Sequence, residues 1–196
     1  MNYYIADAHF GHANILRHSK RPFGSVEEMD GMLVKRWQEK VNESDMVYVL
    51  GDLFYRHKDP EGILRLLPGR KILIEGNHDR TWLRGIDGEK YFEDVQLMAE
   101  IKDEGRRVIL CHYPLMTWFE FGKGTYHIYG HIHDRVDLPY WPLLVKMEDA
   151  LNAGVEINHF CPVTLDELIE NNRAFKHAWC AGRDIKERAD QKGGII

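Results

Sequence analysis

Five short polar signatures carry the residue types that metal chemistry needs. In chain order they are Asp7-Ala8-His9, Gly51-Asp52, Gly76-Asn77-His78-Asp79, His112-Tyr113-Pro114 and Gly130-His131-Ile132-His133. Each follows an apolar run. Asp7, Asp52, the Asn77 carbonyl and the imidazoles form a mixed nitrogen and oxygen donor set. Such a set suits manganese, iron or zinc better than magnesium or calcium alone. A His-x-His pair on extended backbone points both rings to one side, so His131 and His133 can serve a metal centre from one strand end. The glycines before Asp52, Asn77 and His131 are expected to let the backbone turn sharply where each donor leaves its strand. The parts match what a two-metal site requires.

To converge, these donors need strands that end at a common edge. Residues 2–6 are β-prone and deliver Asp7; 46–50 run into Gly51-Asp52, and 71–75 into Gly76-Asn77. Between them, Ser25 and Glu28 form a capping box ahead of Val26, Met29, Leu33, Trp37 and Val41 at helical spacing. Asp59-Pro60 opens a second helix with Ile63, Leu64 and Leu67 inward, and Pro68-Gly69 ends it. The order β, α, β, α, β predicts a parallel sheet with right-handed crossovers and ligands beyond the carboxyl ends of its strands. The second half changes style. Residues 95–101, a turn at 103–105 and residues 106–111 read as an antiparallel hairpin, while 126–129 and 150–157 add strands to a second sheet. Thr164 and Glu167 cap a closing helix with Leu165, Leu168 and Ile169 inward, and the charged tail after about residue 184 is expected to fray. With no repeat, low-complexity tract or linker, residues 1–196 read as one domain.

Composition narrows the functions open to such a chain. Its 196 residues are 44% hydrophobic and 29% charged, enough apolar matter for one buried core and too much charge for a membrane protein. No apolar stretch approaches the roughly 18 residues that span a bilayer. A net charge of −5 and a pI near 6.1 do not advertise a basic surface for sequence-independent nucleic-acid binding, and leave room only for a local basic patch. Cys111, Cys161 and Cys180 form no CxxC pair, and the start carries no basic or apolar leader, so a reducing, cytoplasmic setting is expected.

Taken together and in order, the five motifs resemble the calcineurin-like metallophosphoesterases, whose pattern is D-x-H, G-D, G-N-H-[D/E], H and G-H-x-H. The resemblance spans about residues 3–165. It includes Leu151-Asn152-Ala153-Gly154-Val155 and Pro162-Val163-Thr164-Leu165, which look like the last strand and helix of small bacterial and phage members. It implies an α/β fold of four layers, an α-β-β-α sandwich of two mixed β-sheets flanked by helices. It also implies two divalent transition-metal ions, manganese foremost, with iron, zinc, nickel or cobalt as alternatives. Asp7, His9, Asp52 and His133 would bind one, and Asp52, Asn77, His112 and His131 the other, with Asp52 as the bridge. The implied reaction is phosphate-ester hydrolysis by a hydroxide held between the metals, with His78 as general acid.

One departure from the family matters. In the phosphoprotein-phosphatase branch an aspartate three residues after the bridging one orients the catalytic histidine, and here that place is Tyr55. Asp79 is left as a candidate for the part. The substitution favours phosphodiesters or small phosphorylated molecules over phosphoproteins. A nuclease of the same fold, limited to short oligonucleotides, and a non-catalytic protein-binding scaffold are the alternatives. Arg56 matches an arginine of the same motif and is a candidate phosphate clamp. His12 and Asn14 divide between a plain role, with the asparagine as a helix N-cap, and contact with substrate. His18, His57, His127, His159 and His177 read as surface or hydrogen-bonded side chains. Trp118, Phe119, Phe121, Tyr126, Tyr140 and Trp141 read as packing under loops, or as a substrate wall or dimer contact. Cys111 reads as a buried strand residue. Oligomeric state is not encoded in any motif.

Overall fold

The computed structural model describes the backbone of residues 1–192 and the side chains of residues 1–182. Two four-stranded sheets lie between helices. The first has the order β1 (Asn2–Ile5), β2 (Met46–Val49), β3 (Arg70–Ile74) and β4 (Asp94–Gln96), all parallel. Its antiparallel element is the bridge between Tyr4 and Val163 on the free side of β1. The second has the order β5 (Met98–Asp103), β6 (Arg106–Cys111), β7 (Tyr126–Tyr129) and β8 (Ala150–Asn152), with β5 antiparallel to β6 and the other pairs parallel.

Helices α1 (Ile15–His18), α2 (Val26–Lys40), α3 (Pro60–Leu64) and α4 (Asp79–Leu83) follow strands of the first sheet. Ser25 caps α2 by accepting from the Glu28 amide, and Asp59 caps α3 by accepting from Gly62. The inner stripe Met29, Leu33 and Trp37 packs on Tyr3, Ile5, Val47, Val49 and Leu73. Neighbouring strand residues Tyr4, Tyr48 and Ile74 face the other way, onto Val108, Leu110, Ile128 and Leu151 of the second sheet. Strands buried on both faces read as continuous apolar runs, and these do. The outer face of the second sheet is covered by α5 (Trp141–Leu144) and α6 (Leu165–Lys192), through Trp141, Leu144, Phe175 and Trp179. Trp118 and Trp141 are therefore packing, while Phe119 and Phe121 stay exposed.

Two expected strands divide between the sheets. The run 95–101 is split: β4 pairs with β3, Leu97 crosses between layers, and β5 pairs with β6. The run 150–157 leaves β7 after Asn152, and Ala153 and Val155 then exchange hydrogen bonds with Ala6 beside β1. Periodicity marks a segment as extended without naming its partner, so neither crossing shows in the sequence. The Thr164 and Glu167 capping box forms, with the Thr164 amide 2.9 Å from the Glu167 carboxylate. The expected fraying beyond about residue 184 concerns side chains and a terminus outside the described residues. No helix among the described residues is long and apolar enough to cross a membrane.

His127, fully buried on β7, is a hydrogen-bonded core residue. The Ile109 carbonyl can only accept, so Nδ1 carries the proton, and Nε2 accepts from the Leu115 amide at 3.0 Å. Burial pulls its pKa down to about 4, and the carbonyls of Ile109 and Tyr113 only partly oppose that. Between about pH 6.5 and pH 4 the unfolded imidazole takes a proton that the folded one refuses, so acid favours unfolding there and stability returns above 6.5. Urea midpoints measured at pH 7 and pH 5 should therefore fall less for His127→Gln than for the parent, even though the variant starts lower. Equal falls would show that this ring does not set the acid limit.

Candidate metal centre

Five strand ends deliver the donors to one place: β1 leads to Asp7, β2 to Asp52, β3 to Asn77, β6 to His112 and β7 to His131. The bends that bring them in are made by the donors themselves. Asp7, His9, Asp52, His131 and His133 all have left-handed backbone, with φ of 56, 53, 53, 72 and 51°. This costs about 1–2 kcal/mol per residue in an L-amino acid. The expectation that preceding glycines supply the turns holds only at Gly51, whose φ is +81°. Gly76 and Gly130 serve close approach instead. A Cβ on Gly76 would stand 2.5 Å from Asp52 Oδ1, and one on Gly130 would stand 2.8 Å from Asp7 Oδ2. His131 and His133 likewise lie in a turn and not on extended backbone, and they serve separate clusters.

Asp7, His9 and His133 form one group of donor atoms within 4.8 Å of one another, and Asp52, His112 and His131 form another. Asn77 Oδ1 joins the second, 3.2 Å from His112 Nε2 and 2.9 Å from His131 Nδ1. Asp52 Oδ2 lies between the groups, 3.7 Å from His9 Nε2 and 3.7 Å from His112 Nε2. His78 Nε2 is 3.8 Å from the same oxygen, and its side chain is 38% exposed at the mouth of the site.

The residues present fit metal ions. Both ring nitrogens of His9 are buried without a hydrogen-bond partner, a costly arrangement unless an ion or water joins one of them. His112 donates its Nδ1 proton to the Leu50 carbonyl at 2.7 Å, which leaves Nε2 unprotonated toward the site. Burial pushes the Asp7 carboxyl up to about 8 and raises Asp52, while it holds His9, His112 and His131 below the ordinary imidazole range. Neutral imidazoles and carboxylates that need a counter-charge are what a dication compensates. His133 departs from that pattern. Burial alone would lower it, but the hydrogen bond to Glu156 and the charge of Asp7 raise it to about 8.

Around these donors stand residues that the motifs do not include. Glu156 Oε1 is 2.8 Å from His133 Nδ1 and accepts from Arg21 Nη2 at 2.7 Å. Arg21 also donates to the carbonyls of Asp7 and Ala8, fixing the first left-handed turn. Asn152 holds the His133 carbonyl at 2.7 Å. Glu156 lies inside the run 150–157 and is followed by Ile157, so the rule that finds the motif residues does not single it out, and Arg21 carries no such signal either. Asp79 does not orient His78. Its carboxylate accepts from the amides of Asp52, Leu53 and Gly76 and from Trp82 Nε1. Tyr55 packs edge-on against the His78 ring at 4.9 Å and stacks on His12 at 4.0 Å.

His12 and Asn14 both line the cleft of about 600 Å³ over the donors, and Asn14 makes no side-chain cap bond to α1. Arg56 does not line this cleft, whereas Arg135 does. His57 accepts from the Asp59 amide through Nδ1, a local contact away from the donors.

A four-layer α/β sandwich with two Asp/His clusters at its strand ends is a candidate metal-binding protein. An uncharacterized protein of Methanocaldococcus jannaschii is 34% identical over 171 residues, spanning 86% of this chain and 89% of that protein. The gene 66 protein of Mycobacterium phage L5 is 30% identical over 166 residues, 69% of this chain and 79% of its own. The chain belongs to the family of these proteins. A protein of unknown function from Aquifex aeolicus shares the fold, with a TM-score of 0.66 at 27% identity over 87% of this chain and 98% of that one. No family model matches the chain.

Asp79 gives this site a stability test. Asp79→Ala strands three buried amides and an indole N–H, each worth about 1–3 kcal/mol when left unpaired, so a loss of at least ~3 kcal/mol is expected. Any affinity of the site for a divalent metal ion should fall with it, because the Asp52 backbone loses its anchor. A melting temperature within two degrees of the parent would contradict this account.

Proposed function

We propose that the chain is a metal-dependent phosphoesterase that hydrolyses small phosphate esters, phosphodiesters ahead of phosphoproteins. The observation that carries the reading is the place of Asp52 Oδ2, equidistant from a histidine of each donor group and within 4 Å of His78. Asp7, His9 and His133 would hold one transition-metal ion and Asn77, His112 and His131 a second, with Asp52 shared; manganese is the expected metal. Such a pair supplies Lewis acidity toward phosphoryl oxygens and acidifies water.

The chain's own residues do the rest. The cleft admits a phosphate group above the donors, and His78 stands at its edge outside both groups. Water supplies the entering oxygen and gives up a proton to solvent. As the phosphorus–oxygen ester bond breaks, His78 gives its Nε2 proton to the departing alkoxide and is reprotonated from solvent. Tyr55, standing where the phosphatase branch has an aspartate, limits the ring by packing and not by a charged hydrogen bond.

The test compares p-nitrophenyl phosphate with bis(p-nitrophenyl) phosphate, using chelated and manganese-reloaded protein. Manganese should restore turnover, with the diester preferred. Asp52→Ala should lose metal and turnover together, while His78→Ala should keep two metal equivalents and lose about 10²–10⁴ in kcat. Two bound metals with no turnover of either ester would favour the scaffold reading. Loss of metal in His78→Ala would remove that residue from the acid role.

A further inference from the structure

A second groove, of about 580 Å³, opens beside His78. Tyr55 and His78 line both this groove and the cleft over the donors, so the two spaces meet at the proton donor. Trp82 and Ile86 give the groove an apolar wall, and Arg56 and Lys58 give it positive charge, with no acidic side chain among its lining. Two carboxylates stand behind lining histidines, Asp30 at 3.7 Å from His57 and Asp52 at 3.8 Å from His78, and the other nearby ones are turned elsewhere. Asp59 and Glu61 face Arg65, at 3.9 and 3.6 Å, and Glu75 is paired with Arg80. Across the cleft Arg135 is already held by Asp137 through two contacts of 3.1 and 3.0 Å. In a chain with more acids than bases, the uncompensated cations beside the site lie on the His78 side. Arg56 is also held in place at some cost, with φ of +53° and its guanidinium 5.4 Å from the Tyr55 ring centre.

We propose that this groove is the leaving-group subsite, and that the preferred substrate is a phosphodiester whose leaving alcohol itself carries a phosphate. The inference rests on the phosphoesterase reading above. The group that receives the His78 proton must lie within hydrogen-bond reach of that ring, and the groove shares His78 and Tyr55 with the cleft over the donors. A guanidinium fork and an ammonium together match a phosphate of charge near −2. The reaction stays a simple hydrolysis. The phosphorus–oxygen bond to the phosphorylated alcohol breaks, water oxygen replaces it, and the alcohol departs with the proton from His78.

A nucleotide chain and a phosphorylated polyol share this chemistry, and the test separates them. Manganese-loaded protein is given dithymidine monophosphate with no terminal phosphate, with a 5′-phosphate or with a 3′-phosphate. In parallel it is given glycerophosphoglycerol with and without a terminal phosphate, and bis(p-nitrophenyl) phosphate as the reference ester. A terminal phosphate should raise kcat/KM about tenfold, mainly through KM. Arg56→Gly, which relaxes the left-handed backbone, combined with Lys58→Ala should erase that gain. A gain in both series means that the phosphate alone is read, and a gain only with dinucleotides assigns the source to nucleotides. Equal rates with and without the terminal phosphate, while the reference ester is still cleaved, would overturn the subsite. A gain that survives the double variant would overturn its assignment to this groove. Failure to cleave any ester with both metals bound would instead overturn the phosphoesterase reading itself.

Discussion

The candidate centre depends on one buried carboxylate that is not itself a candidate ligand. Asp79 gathers the amides of Asp52, Leu53 and Gly76, and with them the tips of β2 and β3, into a single set of hydrogen bonds. The amides bring dipoles and no full charge, and burial raises the Asp79 pKa despite them. Its desolvation is offset by geometry: three amides and an indole converge on two oxygens. From that anchor the Asp52 side chain projects between two histidine groups, and Oδ1 is steadied by the His78 amide at 2.9 Å.

Arg21 and Glu156 do the corresponding work on the other side. The guanidinium clamps the Asp7 and Ala8 carbonyls while its partner carboxylate sets the His133 ring. Removing one partner of a buried pair is costly because the other charge stays behind. Five left-handed donor residues are thus held from two sides, and their combined backbone strain is of the size that a few well-made buried hydrogen bonds can offset. Strain concentrated on the donors fits a site whose geometry is prepared before anything binds.

The fold that carries this is a compromise between two sheets. Tyr4, Tyr48 and Leu110 bury the inner faces, and the chain crosses between layers at Leu97 and after Asn152. The second crossing brings Gly154 beside Ala6 and places Glu156 next to His133, so the sheet exchange and the support of the donors are one event. The second sheet in turn presents His112 and His131 from the ends of β6 and β7 toward donors that come from the first. Neither sheet holds a full set of donors alone.

The donor residues were legible because each interrupts an apolar run with a polar side chain, and that contrast survives in one dimension. Helix α2, its Ser25 cap and the Thr164 box were legible for the same reason, since they rest on contacts only a few residues apart. What the tertiary structure decided are the contacts that span the chain. The role of Asp79 as an amide collector, the Arg21 and Glu156 clamp across 135 residues, and the split of residues 95–101 between sheets leave no local pattern. The glycine readings show the same boundary: glycine beside a donor is visible in the sequence. Whether it frees φ, as Gly51 does, or merely makes room for an aspartate, as Gly76 does, depends on what packs against it.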